Sequence, residues 1–426
     1  MQLVAYGAQD VYLTGDPMIT HFKTVYRRHT NFAMECIEQS FNGNPAFGST
    51  VSSIISRNGD LISGAFIETT VPDLRLSGAN KYWTENVGHH LIKKVEIEIG
   101  GQIVDIHYGE WLDIWAQLTV CASKSKGYYA MIGQDSINIR FGEIQPEYDS
   151  QSKTLLIPLQ FWFCRNIGMA LPLVALQYHE VKINVTFADA VDLVGAAVLG
   201  NITDTKLWVD YIYLDVEERR KFIQSVHEYL IEQLQFNGGQ TVIANASRSS
   251  TVTKRINIDF NHPVKEIIWV VQPITYKGQP SNYTAVSTQI PQISINPNGG
   301  VNPVVSAKLT LNGHDRFDTM PGSYFNNMQP FNHHTCIPKS PGINVYSFAL
   351  NPEDHQPSGT CNFSRIDNSY LNLRIATLQS TEYIDEYPDA DDGPIYASNI
   401  CNVKVYAVNY NILRIMSGLG GLAYTN

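Results

Sequence analysis

Period-2 alternation constrains this chain more than any other feature of its sequence. Residues 95–99 read VEIEI, with Val95, Ile97 and Ile99 on one face and Glu96 and Glu98 on the other. The runs at 181–187 (VKINVTF), 207–214 (LWVDYIYL), 256–260 (INIDF), 305–311 (VSAKLTL), 371–375 (LNLRI) and 403–408 (VKVYAV) follow the same rule. Successive side chains of a strand point to opposite faces, so each run has one face to bury and one to leave wet. Bounded by Asn, Gly and Pro turns, such runs specify antiparallel sheet. Helical patterns are short: 105–120 around Trp111 and Trp115, and 216–234, of mixed character. Without regular strand–helix alternation a doubly wound fold is disfavoured. The expected class is all-β, built of sandwiches or closed barrels.

The strand pattern also occurs twice. Residues 37–43 (IEQSFNG) return as 231–238 (IEQLQFNG), and 51–71 as 252–271. Residues 95–111 are echoed by 307–325, an alternating strand, a glycine turn and a polar segment ending in an aromatic; 208–222 lies against 402–416. Each match is weak alone, but they keep one order at offsets of roughly 190 to 215 residues. Each unit offers about eight candidate strands, the number in a jelly roll of two packed four-stranded sheets. The expected organisation is an N-terminal arm (1–26), a first jelly roll (27–212), a linker carrying the charged EERRK run (213–226), and a second jelly roll with a C-terminal tail (227–426). Long stretches rich in Gly, Asn, Ser, Thr and Pro separate the strands, and loops of that length usually have a task.

Composition narrows the function. Charged residues are 16% of the 426, against about 25% in ordinary soluble domains, while Asn alone numbers 32. A sparsely charged surface suits being covered. The net charge of -10 disfavours direct nucleic-acid binding, which calls for a basic excess. No apolar run reaches the length of a membrane-spanning helix, and the N-terminus does not read as a signal peptide. The six cysteines, Cys36, Cys121, Cys164, Cys336, Cys361 and Cys401, form no CxxC, which points to a reducing compartment rather than a disulfide scaffold.

Several longer strings carry a resemblance. QLVAYGAQDVYLTGDPMITHFKTVYRRHTNF (2–32), ISRNGDLI (55–62), GMALPLVALQYHEVKI (168–183), WVDYIYLD (208–215), HEYLIEQLQF (227–236), QPSGTCNFSRIDN (356–368) and NYNILRIMSGLGGLAY (409–424) resemble the major capsid proteins of large icosahedral double-stranded DNA viruses, nearest to those of algal viruses. The resemblance implies a double jelly roll forming homotrimers of pseudo-hexagonal outline. These would pack beside neighbouring capsomers in the outer shell, with minor capsid and penton proteins and an internal virion membrane as further partners, after synthesis and assembly in host cytoplasm. It also implies glycans on surface loops, at asparagines outside the usual sequon; the acceptors are not identifiable. The ordinary sequons fall at Asn184, Asn201, Asn245, Asn282 and Asn362.

Individual residues mostly read as structural. Arg57-Asn58-Gly59-Asp60 is expected as a tight turn between strands, with Asn58 and Gly59 free to take positive φ; Gly100-Gly101 and Asn312-Gly313 read the same way. Gly418, Gly420 and Gly421 would allow close backbone packing. Trp111, Trp115, Phe161, Trp162, Phe163, Trp208 and Trp269 are expected in cores or between barrels. Lys23, Arg27, Arg28 and His29 form a small basic patch beside the arm. The resemblance puts it at the trimer base, either in salt bridges there or against inner proteins or membrane head groups. No catalytic, cofactor or metal residues are assigned: His179-Glu180 and His227-Glu228 are not part of HExxH, and the adjacent pairs His89-His90 and His333-His334 would diverge on an extended chain. The acidic run Glu382, Asp385, Glu386, Asp389, Asp391 and Asp392 lacks EF-hand spacing. The competing reading is a carbohydrate-binding or carbohydrate-cleaving β-sandwich; cleavage would need two carboxylates about 5 to 9.5 Å apart.

Overall fold

The computed structural model describes residues 4–77, 83–134, 151–243, 251–273, 280–281, 283, 302–376 and 400–425. The first half contains β1 (Phe32–Gln39), β2 (Thr50–Ile54), β3 (Leu61–Val71), β4 (Ile92–Ile99), β5 (Gln102–Tyr108), β6 (Lys153–Pro158), β7 (Leu171–Pro172), β8 (Val181–Phe187) and β9 (Thr203–Leu214). The second contains β10 (His227–Ile243), β11 (Thr251–Asn257), β12 (Pro263–Pro273), β13 (Val304–Leu311), β14 (His314–Asp315), β15 (Met320–Pro321), β16 (Asn344–Ser347), β17 (Cys361–Asn362), β18 (Ser369–Ala376), β19 (Ile400–Met416) and β20 (Leu419–Leu422).

Two sheets form in each half, wound in the same order. The first half pairs β1-β9-β3-β6 opposite β2-β8-β4-β5; the second pairs β10-β19-β12-β16 opposite β11-β18-β13-β14. All these pairings are antiparallel. Among the eight strands of these orders, in both halves the first pairs with the last (β1 with β9, β10 with β19) and the second with the last but one (β2 with β8, β11 with β18), the Greek-key winding of a jelly roll. The alternation that defines the strands also fills the sandwiches. In β8, Val181, Ile183, Val185 and Phe187 are buried and the residues between them are not. They meet Ala65, Ile67, Val71, Leu207 and Val209 of the facing sheet in the first core. The second core joins Ile267, Trp269, Val271, Val403 and Val405 to Ile256, Leu309, Leu371 and Leu373.

The halves share material. Strands β10 and β19 are 17 residues each, and their lower ends contribute Ile231, Leu413 and Ile415 to the first core. The tail returns as β20 on β19. Gly418 takes φ +82 with Tyr178 so close that a Cβ would stand 2.6 Å from its ring, and at Gly420 a Cβ would stand 2.5 Å from Leu176.

Short helices fill the connections: α1 (Val11–Thr14), α2 (Val87–Leu91), α3 (Gly109–Thr119), α4 (Ala122–Met131), α5 (Trp162–Arg165), α6 (Val216–Gln224) and α7 (Gln329–His333). The helical expectation over 216–234 is corrected. A helix is capped by Asp215, whose side chain accepts from Val216 N, and it ends at Gln224; HEYLIEQL then enters β10. The long ladder with β19 overrides the mixed local pattern there.

The expected turns differ among themselves. Gly100 and Gly101 (φ +58 and +86) form a two-residue loop between β4 and β5, and Asn312 and Gly313 (φ +48 and +79) do the same between β13 and β14. Positive φ at both central positions is the hairpin geometry whose twist matches the flanking strands. Asn58-Gly59 is no such hairpin. It joins β2 to β3, which lie in opposite sheets, and neither residue has positive φ. Gly59 is needed instead for space, since a Cβ there would stand 2.8 Å from Cβ of Tyr211.

Candidate assembly surfaces

The two jelly rolls meet through a helix laid on a sheet. Helix α3 follows β5 and carries Trp111, Ile114, Trp115 and Leu118 on its buried side. These pack on the outer face of β10-β19-β12-β16, against Ile268, Val270, Val345, Tyr406 and Val408, with Leu234 and Phe236 at the margin. That sheet is therefore covered on both faces. Of the aromatics singled out in the sequence, Trp111 and Trp115 lie between the rolls. Phe161, Trp162 and Phe163 belong to the first core, Trp269 to the second, and Trp208 faces outward from the first.

Polar groups line the same contact. Glu110 takes Lys404 Nζ at 2.8 Å and the Tyr406 hydroxyl at 2.6 Å. Asp113, fully buried, accepts from Asn86 Nδ2 at 2.6 Å and from the Tyr283 hydroxyl at 3.1 Å. Burial alone would raise the Asp113 pKa, but His89 and His90, within 3.9 and 3.8 Å, hold it below the usual carboxylate range. The expectation that the His89-His90 pair diverges is thereby corrected. Both sit on α2 rather than on a strand, and both come within 4 Å of one carboxylate.

A second buried charge cluster lies nearby. Arg165 of α5 reaches Glu232 of β10 at 2.8 Å, and the other Glu232 oxygen is 2.8 Å from Lys265 Nζ. Burial lowers the Lys265 pKa, partly offset by Glu232 and Glu266. His334 lies between Glu266 and Glu353, 2.9 Å from each. Burial opposes its protonation, but the two carboxylates win and raise its pKa to about 9. His333 instead contacts the Leu350 carbonyl. Among the described residues no group of three or more His, Cys, Asp or Glu side chains could hold a metal ion.

The equivalent sheet face of the first roll is treated differently. On β1-β9-β3-β6 the residues turned away from the core include one cross-strand rank of Pro158, Phe66, Trp208 and Glu38, with Leu156 opposite Glu68 in the next rank and Met34 opposite Ile212 further along β1. Phe66 and Trp208 stack with centroids 6.2 Å apart, and Trp208 Nε1 donates to Glu68 at 2.6 Å. At one end this face is covered, where Leu61 and Ile212 meet Ala170 and Phe222. Away from that end Leu156 is 37% exposed, and Met34, opposite Ile212 on the edge strand, is 51% exposed. The first five residues of β1 are exposed on both faces. The arm before it leaves Tyr12, Met18, Phe22 and Tyr26 exposed. Lys23, Arg27 and Arg28 are also exposed and form no ion pair among the described residues.

Of the ordinary sequons, Asn184 is in β8, Asn201 in an exposed loop and Asn362 in β17. Asn245, Asn282 and the acidic run from Glu382 to Asp392 lie outside the described residues.

Duplicated jelly rolls fused through a helix-on-sheet joint, with one outer sheet face left partly open, define a double-jelly-roll shell protein. Residues 20–215 match the family model for the major capsid protein N-terminus, and residues 218–421 that for the large eukaryotic DNA virus major capsid protein. The chain is 47% identical over 448 residues to the major capsid protein of Pyramimonas orientalis virus, spanning 100% of this chain and 99% of the relative. It is 42% identical over 447 residues to that of Paramecium bursaria Chlorella virus 1, with the same coverage. The quasi-atomic model of the PBCV-1 virus capsid superposes with a TM-score of 0.80 at 38% identity, over 96% of this chain and 100% of that one. The Faustovirus major capsid protein shares the fold at 14% identity, with a TM-score of 0.72 over 96% of this chain and 94% of that one. The chain belongs to the major capsid protein family of large eukaryotic DNA viruses. Its work is structural, in the capsid shell of the virion, and it is not an enzyme.

Proposed function

We propose that three copies of this chain close into a pseudo-hexagonal capsomer, and that the open sheet face of the first jelly roll is where one copy receives the next. The unequal cover on two equivalent faces carries this reading. Inside the chain, α3 of the first roll covers the outer face of β10-β19-β12-β16. After β14 and the short β15 comes the helical segment 324–333, the counterpart of α3 after β5, and it leaves Met328 and Phe331 exposed at 48% and 69%. Seating that segment on Phe66, Trp208 and Leu156 of another copy would repeat between chains the contact made within each. Such head-to-tail contacts form a ring when the rotation closes. With two rolls per chain, three chains give six sides. Burial of this face, and of the two-sided surface of β1, ties stability to association.

The same reading divides the chain into arm 1–26, first roll 27–212, linker 213–226 and second roll 227–426, supported by family matches that meet between residues 215 and 218. Neighbouring capsomers, minor capsid and penton proteins and the internal membrane are the further partners, with assembly in host cytoplasm. Lys23, Arg27 and Arg28 serve either salt bridges at the trimer base or contacts with inner proteins or head groups. Replacing Arg27 and Arg28 separates these: loss of purified trimers defeats the membrane role, whereas intact trimers that fail in particle assembly support an inner contact.

Light scattering on the purified protein tests the trimer. The expected mass is three chains, and Leu156→Glu or Phe331→Glu should yield folded monomers. A wild-type protein that remains a single chain at high concentration overturns the reading; trimers that survive both substitutions overturn the assigned face.

A further inference from the structure

A second joint between the jelly rolls runs along the elbow of α3 and α4. There the loop after α7 is bonded to the first roll: Cys336 N donates to Leu118 O at 2.9 Å, and Ser340 N to Gln117 Oε1 at 3.0 Å. Cys336 Sγ lies 3.1 Å from Val120 O, the carbonyl joined to the nitrogen of Cys121. Peptide geometry sets that oxygen about 2.8 Å from the Cys121 Cα, so Cys336 Sγ is within about 6 Å of that Cα. Both cysteines are free thiols and half-exposed. Adding the Cα-to-Sγ reach of Cys336, about 2.8 Å, sets the two Cα atoms no more than about 9 Å apart, and disulfides join Cα atoms about 4.4 to 6.8 Å apart, so closing the bond takes side-chain rotation together with a shift of the loop that carries Cys336.

We propose that Cys121 and Cys336 form a reversible disulfide that clasps the first jelly roll to the second. Cys121 is the attacking group. It caps α4, its sulfur lies 3.2 Å from Ser123 Oγ, and its pKa is lowered by that hydroxyl and by the Lys124 N–H. Burial raises the pKa of Cys336. The oxidant is a small-molecule disulfide. The Cys121 thiolate attacks one of its sulfurs, forming a mixed disulfide and expelling one thiolate, which takes up the proton Cys121 gave up. Cys336, once deprotonated, attacks Cys121 Sγ, expels the second thiolate and leaves the internal bond. In sum, two protein thiols and one disulfide become one protein disulfide and two small thiols. The clasp is open where thiols are kept reduced and closes in oxidising surroundings. It would add a second covalent tie between two rolls otherwise joined by the 213–226 linker and by packing, across 215 residues of chain.

Oxidised glutathione added to the native purified protein tests this directly, with the remaining thiols alkylated and the protein mapped without reduction. The expected result is a Cys121–Cys336 cross-linked peptide within one chain, with Cys36, Cys164, Cys361 and Cys401 not cross-linked to one another. Dithiothreitol should reverse it, and the oxidised form should melt at higher temperature. Cys121→Ser and Cys336→Ser should each abolish the cross-link. Both thiols remaining alkylatable, a glutathione adduct that stops at Cys121, or pairing between chains would each overturn the proposal. Because the readout is a peptide within one chain, it is independent of how many chains associate.

Discussion

Arg165 of the first jelly roll sets Nη1 2.8 Å from Glu232 Oε2 of the second, while its guanidinium lies 4.2 Å over the ring of Trp115. One side chain thus ties a first-core segment, a second-roll strand and the interface helix. The Glu232 side chain is only 8% exposed, and Lys265 on its other oxygen is fully buried. Removing Glu232 strands a buried ammonium. Glu232→Ala is therefore expected to cost about 3 to 5 kcal/mol. Arg165→Ala should cost less, because Lys265 keeps its partner. Denaturant unfolding at one fixed protein concentration, with the double variant, would measure the coupling. A Glu232→Ala protein as stable as wild type would remove this cluster from the joint.

His334 makes stability depend on alkaline pH. Its ordinary pKa is 6.5 and its folded value is raised to about 9, burial being outweighed by Glu266 and then Glu353. A raised folded pKa contributes stability that is fully present below about pH 6.5 and fades as pH climbs through about 9. The thermal midpoint should therefore decline between those limits, and His334→Gln should flatten the decline while lowering the midpoint at neutral pH. An unchanged profile in the variant would show that another group controls the slope.

The division between legible and hidden features follows from what period and spacing encode. The alternation in VKINVTF or LNLRI states which face is buried, and its recurrence fixed the number of jelly rolls, because burial of one face is a local property of the strand. Which wall an aromatic joins is not local. Trp111 and Trp162 look alike in sequence, yet one lies between rolls and the other inside a core, since the choice depends on where α3 and α5 dock. His89 and His90 share Asp113 because α2 sets them on a helix, and five residues are too few to show a helical period. The outward face of Phe66 and Trp208 was hidden for the same reason. Its strands alternate normally, and only the comparison of two sheets shows that one face lacks its cover.

Trp111 gives the interface a direct measure. It is fully buried between the rolls, 5.5 Å from Trp115 and 5.7 Å from Tyr406 between ring centroids. Trp111→Ala should destabilise by about 3 to 5 kcal/mol, the range for deleting a buried large aromatic. Because α3 joins two cores, the loss should also reduce cooperativity, with the two rolls melting separately in calorimetry. A single unshifted transition would mean that the long β10–β19 ladder alone couples them.

The paired hairpin glycines separate backbone strain from crowding. Gly313 has φ +79 and open space around an added Cβ, so Gly313→Ala meets only the cost of a left-handed conformation, about 1 to 2 kcal/mol. Gly100 has φ +58, and a Cβ there would stand 2.3 Å from Nδ1 of the His179 ring. That ring is itself fixed, 2.9 Å from the Gly420 carbonyl of the C-terminal tail. Gly100→Ala must therefore displace His179 and loosen the tail, and its cost should exceed that of Gly313→Ala by about 1 kcal/mol or more. Faster proteolysis of the tail in Gly100→Ala, and not in Gly313→Ala, would identify the displaced contact. Equal stability losses with an equally protected tail would show that His179 moves aside freely.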